Sequence, residues 1–178
     1  MGRDRFRYHL PLRVRFAETD MQGIVFNGNY LTYTDTAVTE YFRHLSYPYQ
    51  EMVKGGFDFV LAHISCDFRA AAYFDDLLEV RTRVAELRTK SFVVEFEIYR
   101  EGENAPLFTA TSVYVGIDPS TKRTMPLPER FREVVRTFEQ LSPLVPVQLT
   151  SPSGVAGPRG TPCDVPGKRT LIRTRCVK

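Results

Sequence analysis

From residue 29 onward the chain repeats apolar positions at helical spacing. Tyr30, Tyr33, Ala37, Tyr41 and Leu45 form one stripe, and Leu31, Thr34, Val38 and Phe42 form another. A helix from Asn29 to Leu45 accounts for both, and two stripes predict cover over most of its circumference. At the usual rise it is about 25 Å long, so it needs an extended partner surface. The rest of the chain reads as strands. Tyr8 to Phe16 mixes apolar and basic residues in a first strand, with Pro11 near its beginning, and Phe57 to Phe68 is a second β-type run. Leu78, Val80, Thr82 and Val84 alternate with Glu79, Arg81 and Arg83, the period-2 signature of a half-buried strand. Phe92, Val94, Phe96 and Ile98 alternate likewise, and Leu107 to Ile117 ends at the turn Asp118-Pro119-Ser120. Short connections at Arg88-Thr89-Lys90 and Glu101-Gly102-Glu103-Asn104 favour antiparallel hairpins. Pro126 and Pro128 precede a short last helix, Glu129 to Phe138.

One strand, a long helix and four further strands describe an α+β fold. A five-stranded antiparallel sheet wraps the central helix in a single domain over residues 1–140. Past Leu141 the periodicity stops. Six of the twelve prolines fall in residues 141–178, with four glycines, so this tail is expected to be disordered. A regulatory basic arm is the sharper alternative for it.

Composition narrows the class of protein. With 178 residues, 43% hydrophobic and 12% aromatic, the chain has enough apolar side chains for one proper core. No apolar run is long enough to cross a bilayer, and Met1-Gly2-Arg3-Asp4-Arg5 lacks a secretory pattern, so a cytoplasmic protein without membrane contact is expected. Cys66, Cys163 and Cys176 are scattered and odd in number, which argues against a disulfide framework or a zinc site. The net charge of +3 is uneven. Residues 141–178 carry six basic groups against Asp164, or +5, which leaves residues 1–140 at −2. No nucleic-acid footprint lies in the compact part.

The stretch Val14-Arg15-Phe16-Ala17-Glu18-Thr19-Asp20-Met21-Gln22-Gly23-Ile24-Val25-Phe26-Asn27-Gly28-Asn29-Tyr30-Leu31 carries the candidate chemistry. It resembles the signature of the 4-hydroxybenzoyl-CoA thioesterase-like hotdog family. There a strand ends in a Glu/Asp-Thr-Asp element, and Asn-Tyr-Leu opens the central helix. The resemblance continues through Asp75-Asp76-Leu77-Leu78-Glu79-Val80 and Ala110-Thr111-Ser112-Val113-Tyr114-Val115, and covers residues 8–138. It implies a hotdog fold and acyl-CoA thioester hydrolysis, with Asp20 as nucleophile or general base. It also implies a homo-oligomer, a dimer or a homotetramer, and no cofactor, coenzyme A being part of the substrate.

The residues themselves agree with that chemistry. A thioester carbonyl needs a nucleophile or base beside it and donors for its oxyanion. Asp20 lies a short loop before the helix, and the free amides at Asn27-Gly28-Asn29 can bind developing negative charge. Gly28 would admit a close approach of substrate to the backbone. From spacing alone Asp20 reads first as a cap or an Asx-turn residue, and Asn29 equally as a helix cap or a site residue; the resemblance reverses the balance to catalysis for Asp20. Phe26 and Tyr30 are candidate lining residues, with Phe16, Tyr33 and Phe57 as further aromatics of pocket or core. Glu18 reads as a structural or surface acid, while Glu40 on the helix is the alternative carboxylate. His63 reads as a satisfied core or interface histidine. Arg88 and Lys90, at a hairpin tip, are candidates for holding coenzyme A phosphates. Two positions depart from many relatives, with Phe16 in place of a tyrosine and Asn27 in place of a histidine. Asparagine cannot shuttle a proton near neutral pH, although it can orient a water or a carbonyl. Hydrolysis of acyl carrier protein thioesters, or acyl-CoA binding without catalysis, are the competing functions.

Overall fold

The computed structural model describes residues 3–141. The expected disorder of the 141–178 tail therefore lies outside the described residues, apart from Leu141. Five strands, β1 (Tyr8–Arg13), β2 (Asp58–Phe68), β3 (Leu77–Leu87), β4 (Ser91–Arg100) and β5 (Phe108–Ile117), form one sheet in the order β1-β3-β4-β5-β2. Every pairing is antiparallel. Three helices accompany them, α1 (Asn27–His44), α2 (Tyr49–Lys54) and α3 (Glu129–Glu139). This is the hotdog arrangement, a sheet wrapped on a central helix.

The register places Leu10, Val80, Ile98, Phe108 and Phe68 in one row across all five strands. Directly opposed residues share a face, so this row and its neighbours build a continuous apolar surface. Helix α1 packs on that surface. Tyr30, Tyr33, Ala37, Val38, Tyr41 and Phe42 are buried, and Phe42 meets Phe59, Phe92 and Phe131 at ring centroid separations of 5.4–6.1 Å.

The helix is covered on one side only, which corrects the expectation of near-complete cover. Leu31 keeps 42% of its surface exposed, and Asp35, Thr36, Thr39 and Arg43 face outward. The reason is angular. Positions one residue apart lie about 100° apart on a helix, so the two stripes merge into a single broad face.

Two further differences have local causes. The first strand stops at Arg13, because Val14 N–H bonds to Asp76 O and the chain turns into a 3-10 helix at Phe16–Glu18. Helix α2 is absent from the sequence expectation because six residues are too few to show a helical period. It is held by Met52, which is fully buried, and Pro48 is its N-cap.

His63 is not a core histidine. It lies exposed on edge strand β2, beside a bulge between Leu61 and His63. Among the described residues, no helix is long and apolar enough to cross a membrane.

Candidate active site

The chain between β1 and α1 is organised around Glu18. This residue is 7% exposed and accepts hydrogen bonds from its own turn and from α1. Arg15 donates its backbone N–H to Oε2 at 2.8 Å and its side chain to Oε1 at 2.6 and 2.9 Å. The Tyr33 hydroxyl donates to Oε2 at 2.8 Å. Burial pushes the Glu18 carboxyl up, but these donors outweigh it and hold the pKa below the ordinary glutamate value. The Glu18 carbonyl is equally engaged, accepting from Phe26 N–H at 2.9 Å and Asn29 Nδ2 at 2.7 Å. The loop is thereby pinned to the first turn of the helix.

Between these anchors residues 19–25 fold back on themselves. Thr19 bridges to Val25, Asp20 N–H donates to Ile24 O at 2.9 Å, and Gly23 N–H donates to Asp20 O at 2.9 Å. Gly23 sits at φ +75°, a conformation that side chains rarely adopt, so glycine is needed there. Asp20 Oδ1 accepts the Gln22 N–H at 2.8 Å in an Asx turn. Its other oxygen, Oδ2, has no hydrogen-bond partner among the described residues.

Asp20 lines a cleft of about 450 Å³. Asn27 and Tyr30 stand on the same wall, and Phe68, Arg69 and Ala71 form the opposite one. The walls are fastened together, with Val25 N–H donating to Ala72 O at 2.8 Å and Ala72 N–H donating to the Tyr30 hydroxyl oxygen at 3.2 Å. Beneath them the Tyr30 ring stacks on Phe108 at 5.1 Å and meets Phe68 edge-on at 5.5 Å. Of the three first-turn amides expected to be free, that of Asn29 donates to Phe26 O at 2.9 Å. This leaves the Asn27 and Gly28 N–H groups without an acceptor among the described residues, at the positive dipole end of α1. A carboxylate with a free oxygen thus shares a cleft with the start of a long helix, a pairing suited to attack on a carbonyl and to binding the oxyanion that forms.

The structure brings Asp20, Asn27 and Tyr30 together and separates other candidates from them. Asn29 is spent on the Glu18 carbonyl and acts as a brace. At Gly28 an added Cβ would lie 2.8 Å from the ring of Phe26, so the close approach is to that ring and not to the cleft. Phe26 itself points outward, 53% exposed. Phe16 is exposed against Phe74, Phe57 is in the core, and Tyr33 serves Glu18. Glu40 pairs with Arg43, ten residues along α1 from Tyr30, or about 15 Å at the helical rise. Arg88 and Lys90 sit at the far end of β3, about 33 Å along the strand from its start beside the cleft. There Arg88 pairs with Glu86 at 2.9 Å, and the carbonyls of Arg88 and Thr89 accept from Arg132. Within one chain these two cations do not meet Asp20.

The sequence reading missed the opposite wall. Phe68 at the end of β2, and Arg69 and Ala71 just after it, lie about 50 residues beyond Asp20, and the pairing of β2 with β5 together with the Val25–Ala72 bond brings them near. Arg69 is the cation of that wall, with Asp67 3.8 Å away and both exposed. Among the described residues no cluster of three or more histidine, cysteine or acidic side chains has a geometry for a metal.

Comparison with known proteins points the same way. The family described as the thioesterase superfamily matches residues 22–106. The acyl-CoA thioester hydrolase YbgC of Escherichia coli is 30% identical over 140 residues, covering 79% of this chain and 100% of that protein. The acyl-CoA thioesterase YbgC of Helicobacter pylori is 32% identical over 136 residues, covering 71% of this chain and 98% of its own. Among solved structures, the gentisyl-coenzyme A thioesterase BH1999 superposes with a TM-score of 0.63 at 27% identity, over 72% of this chain and 98% of that one.

Proposed function

The chain belongs to the thioesterase superfamily, and on that footing we propose that it hydrolyses acyl-CoA thioesters to the free acid and coenzyme A. The observation that carries this reading is the Asp20 carboxylate facing a cleft shared with the first turn of α1. Asp20 acts either as nucleophile on the thioester carbonyl carbon or as general base on a water that attacks it. In both routes the carbonyl oxygen gains negative charge, and the helix N-terminus stabilises it. The carbon–sulfur bond then breaks and coenzyme A leaves as the thiol, taking the proton that Asp20 drew from the attacking water. In the nucleophile route the thiolate takes its proton from water, and a water molecule then hydrolyses the Asp20–acyl anhydride to the free acid. Asn27 orients the water or the carbonyl without shuttling a proton.

The cleft floor supports a reading of the acyl class. Tyr30 and Phe68 lie over Phe108, which suits an aryl or a short-to-medium apolar acyl group. The test is thiol release by the purified protein from a panel of acyl-CoAs of these classes. Steady release from aryl or short-to-medium members is expected. Tight binding of acyl-CoA without release would make the protein a non-catalytic binder, and release from acyl carrier protein alone would replace the substrate.

The same reading includes self-association. Leu31 on the open side of α1 and Leu61 on edge strand β2 are 42% and 50% exposed, and Val60 and Phe68 are exposed beside them. An apolar edge strand with unpaired backbone groups is a site for pairing with another chain, and a second copy covers it here. A role for Arg88 and Lys90 in holding coenzyme A phosphates then requires the hairpin of that second copy. Light scattering on the purified protein is expected to give at least twice the 20.4 kDa chain mass, and Leu61→Lys to lower it. A monomeric wild type would contradict this.

A further inference from the structure

Tyr30 and Tyr33 occupy the same face of α1, yet their hydroxyl groups are treated differently. The Tyr33 O–H donates to Glu18 at 2.8 Å. The Tyr30 hydroxyl oxygen accepts a hydrogen bond from Ala72 N–H, and its own O–H has no acceptor among the described residues. A buried donor left unused is costly, and such groups call for an explanation. Tyr30 is only 3% exposed, its ring is fixed between Phe108 and Phe68, and it lines the cleft that holds Asp20 and Asn27. The unspent donor therefore belongs to the site. Burial also raises the Tyr30 pKa, so the hydroxyl keeps its proton.

The peptide group that donates to Tyr30 is itself polarised. Its carbonyl, Ala71 O, accepts from Arg100 Nη2 at 2.8 Å. Arg100 is held in place by Asp76, which accepts from its Nε at 2.9 Å, and by Glu103. Asp76 in turn accepts the Tyr73 N–H at 2.8 Å, so the wall segment and the guanidinium share one anchor. A positive group on the carbonyl strengthens the N–H of the same peptide as a donor. That N–H draws charge from the Tyr30 oxygen and strengthens the O–H as a donor in turn.

We infer that the Tyr30 hydroxyl donates a hydrogen bond to the thioester carbonyl oxygen of the substrate, and that Arg100 is the positioning residue acting on it through the Ala71–Ala72 peptide. The inference deepens the hydrolase reading and rests on it. Tyr30 thus complements the α1 amides as a second donor to the oxyanion.

The test uses the full chain and the acyl-CoA that wild type hydrolyses fastest. Tyr30→Phe keeps the ring packing and removes only the hydroxyl, and kcat is expected to fall about 10- to 100-fold with KM changed less than about twofold. Arg100→Met, which leaves Tyr30 in place, is expected to lose about tenfold in kcat, partly restored in Arg100→Lys. The double variant Tyr30→Phe/Arg100→Met is expected to be no slower than Tyr30→Phe alone, since both act through one hydroxyl. Tyr41→Phe, which removes a structural hydroxyl bonded to Glu139 at the other end of α1, is expected to keep full kcat. A spectroscopic arm reads the contact directly. With a carbon-13 carbonyl acyl-CoA bound to Asp20→Asn protein, the carbonyl stretch is expected to rise when Tyr30→Phe is added. A raised KM at unchanged kcat, or a stretch that does not move, would overturn the assignment. An active wild type with an unimpaired Tyr30→Phe defeats this inference alone, whereas a wild type that releases no thiol from any acyl-CoA defeats the hydrolase reading with it.

Discussion

Asp20→Asn is expected to lower kcat for the preferred acyl-CoA by about 100-fold or more while leaving the fold intact. The two halves of that expectation have different causes. Asparagine retains a side-chain oxygen that accepts the Gln22 N–H, so the Asx turn and the Thr19–Val25 loop persist. The amide cannot attack a carbonyl or take a proton from water, so the chemical step is lost. Steady-state kinetics and a melting curve separate the two, with a large fall in kcat at a nearly unchanged Tm. Glu40→Gln is the companion measurement. Glu40 is paired with Arg43 on the outer part of α1, far from the cleft, and its loss is expected to alter kcat less than about twofold. A large loss at Glu40 with none at Asp20 would move the chemistry to the helix carboxylate.

Glu18→Ala is expected to destabilise the protein by about 2–3 kcal/mol and to lower kcat/KM by about tenfold or more. The exposed Arg15 guanidinium returns to water at little cost, but the Tyr33 hydroxyl is left buried without its acceptor. Activity falls because Glu18 fixes the turn that presents Asp20, and small displacements of a reacting group are costly. The pH dependence has a definite sign. The Glu18 pKa is lower in the folded protein than in the unfolded chain, so its stabilising effect is present above the ordinary glutamate range, about pH 4. That effect is lost as the pH falls through the depressed folded value. Urea unfolding at neutral pH and below pH 4 is therefore expected to show wild type losing more stability on acidification than Glu18→Gln. Equal losses would show that Glu18 is not held in its ionised form.

The sequence and the structure agree where periodicity is long. Strands β3 and β4 follow their alternating residues, β5 follows its β-rich run, and α1 starts and ends within two residues of the expected Asn29–Leu45. Asp20, Asn27 and Tyr30 also end in one cleft, because all three lie within eleven residues of one loop-to-helix junction and local geometry brings them together. What was not legible depends on distant parts of the chain. Phe68, Arg69 and Ala71 face Asp20 only because β2 crosses to the far edge of the sheet. The link from Arg100 to Tyr30 joins residues 70 positions apart through a wall segment with no periodicity of its own. Asn29 and Gly28 illustrate the reverse case, in which a residue at the right place in the sequence points its atoms elsewhere. The Asn29 amide reaches back to Glu18, and the space above Gly28 is taken by Phe26.

The most direct test is a structure of the Asp20→Asn protein with bound acyl-CoA. The thioester carbonyl is expected within hydrogen-bond distance of the first-turn amides of α1, with its carbon facing residue 20 and the acyl group over Tyr30 and Phe68. An acyl-CoA whose thioester lies outside this cleft, or is turned away from residue 20, would contradict the assignment of Asp20 and the helix start as the hydrolytic site.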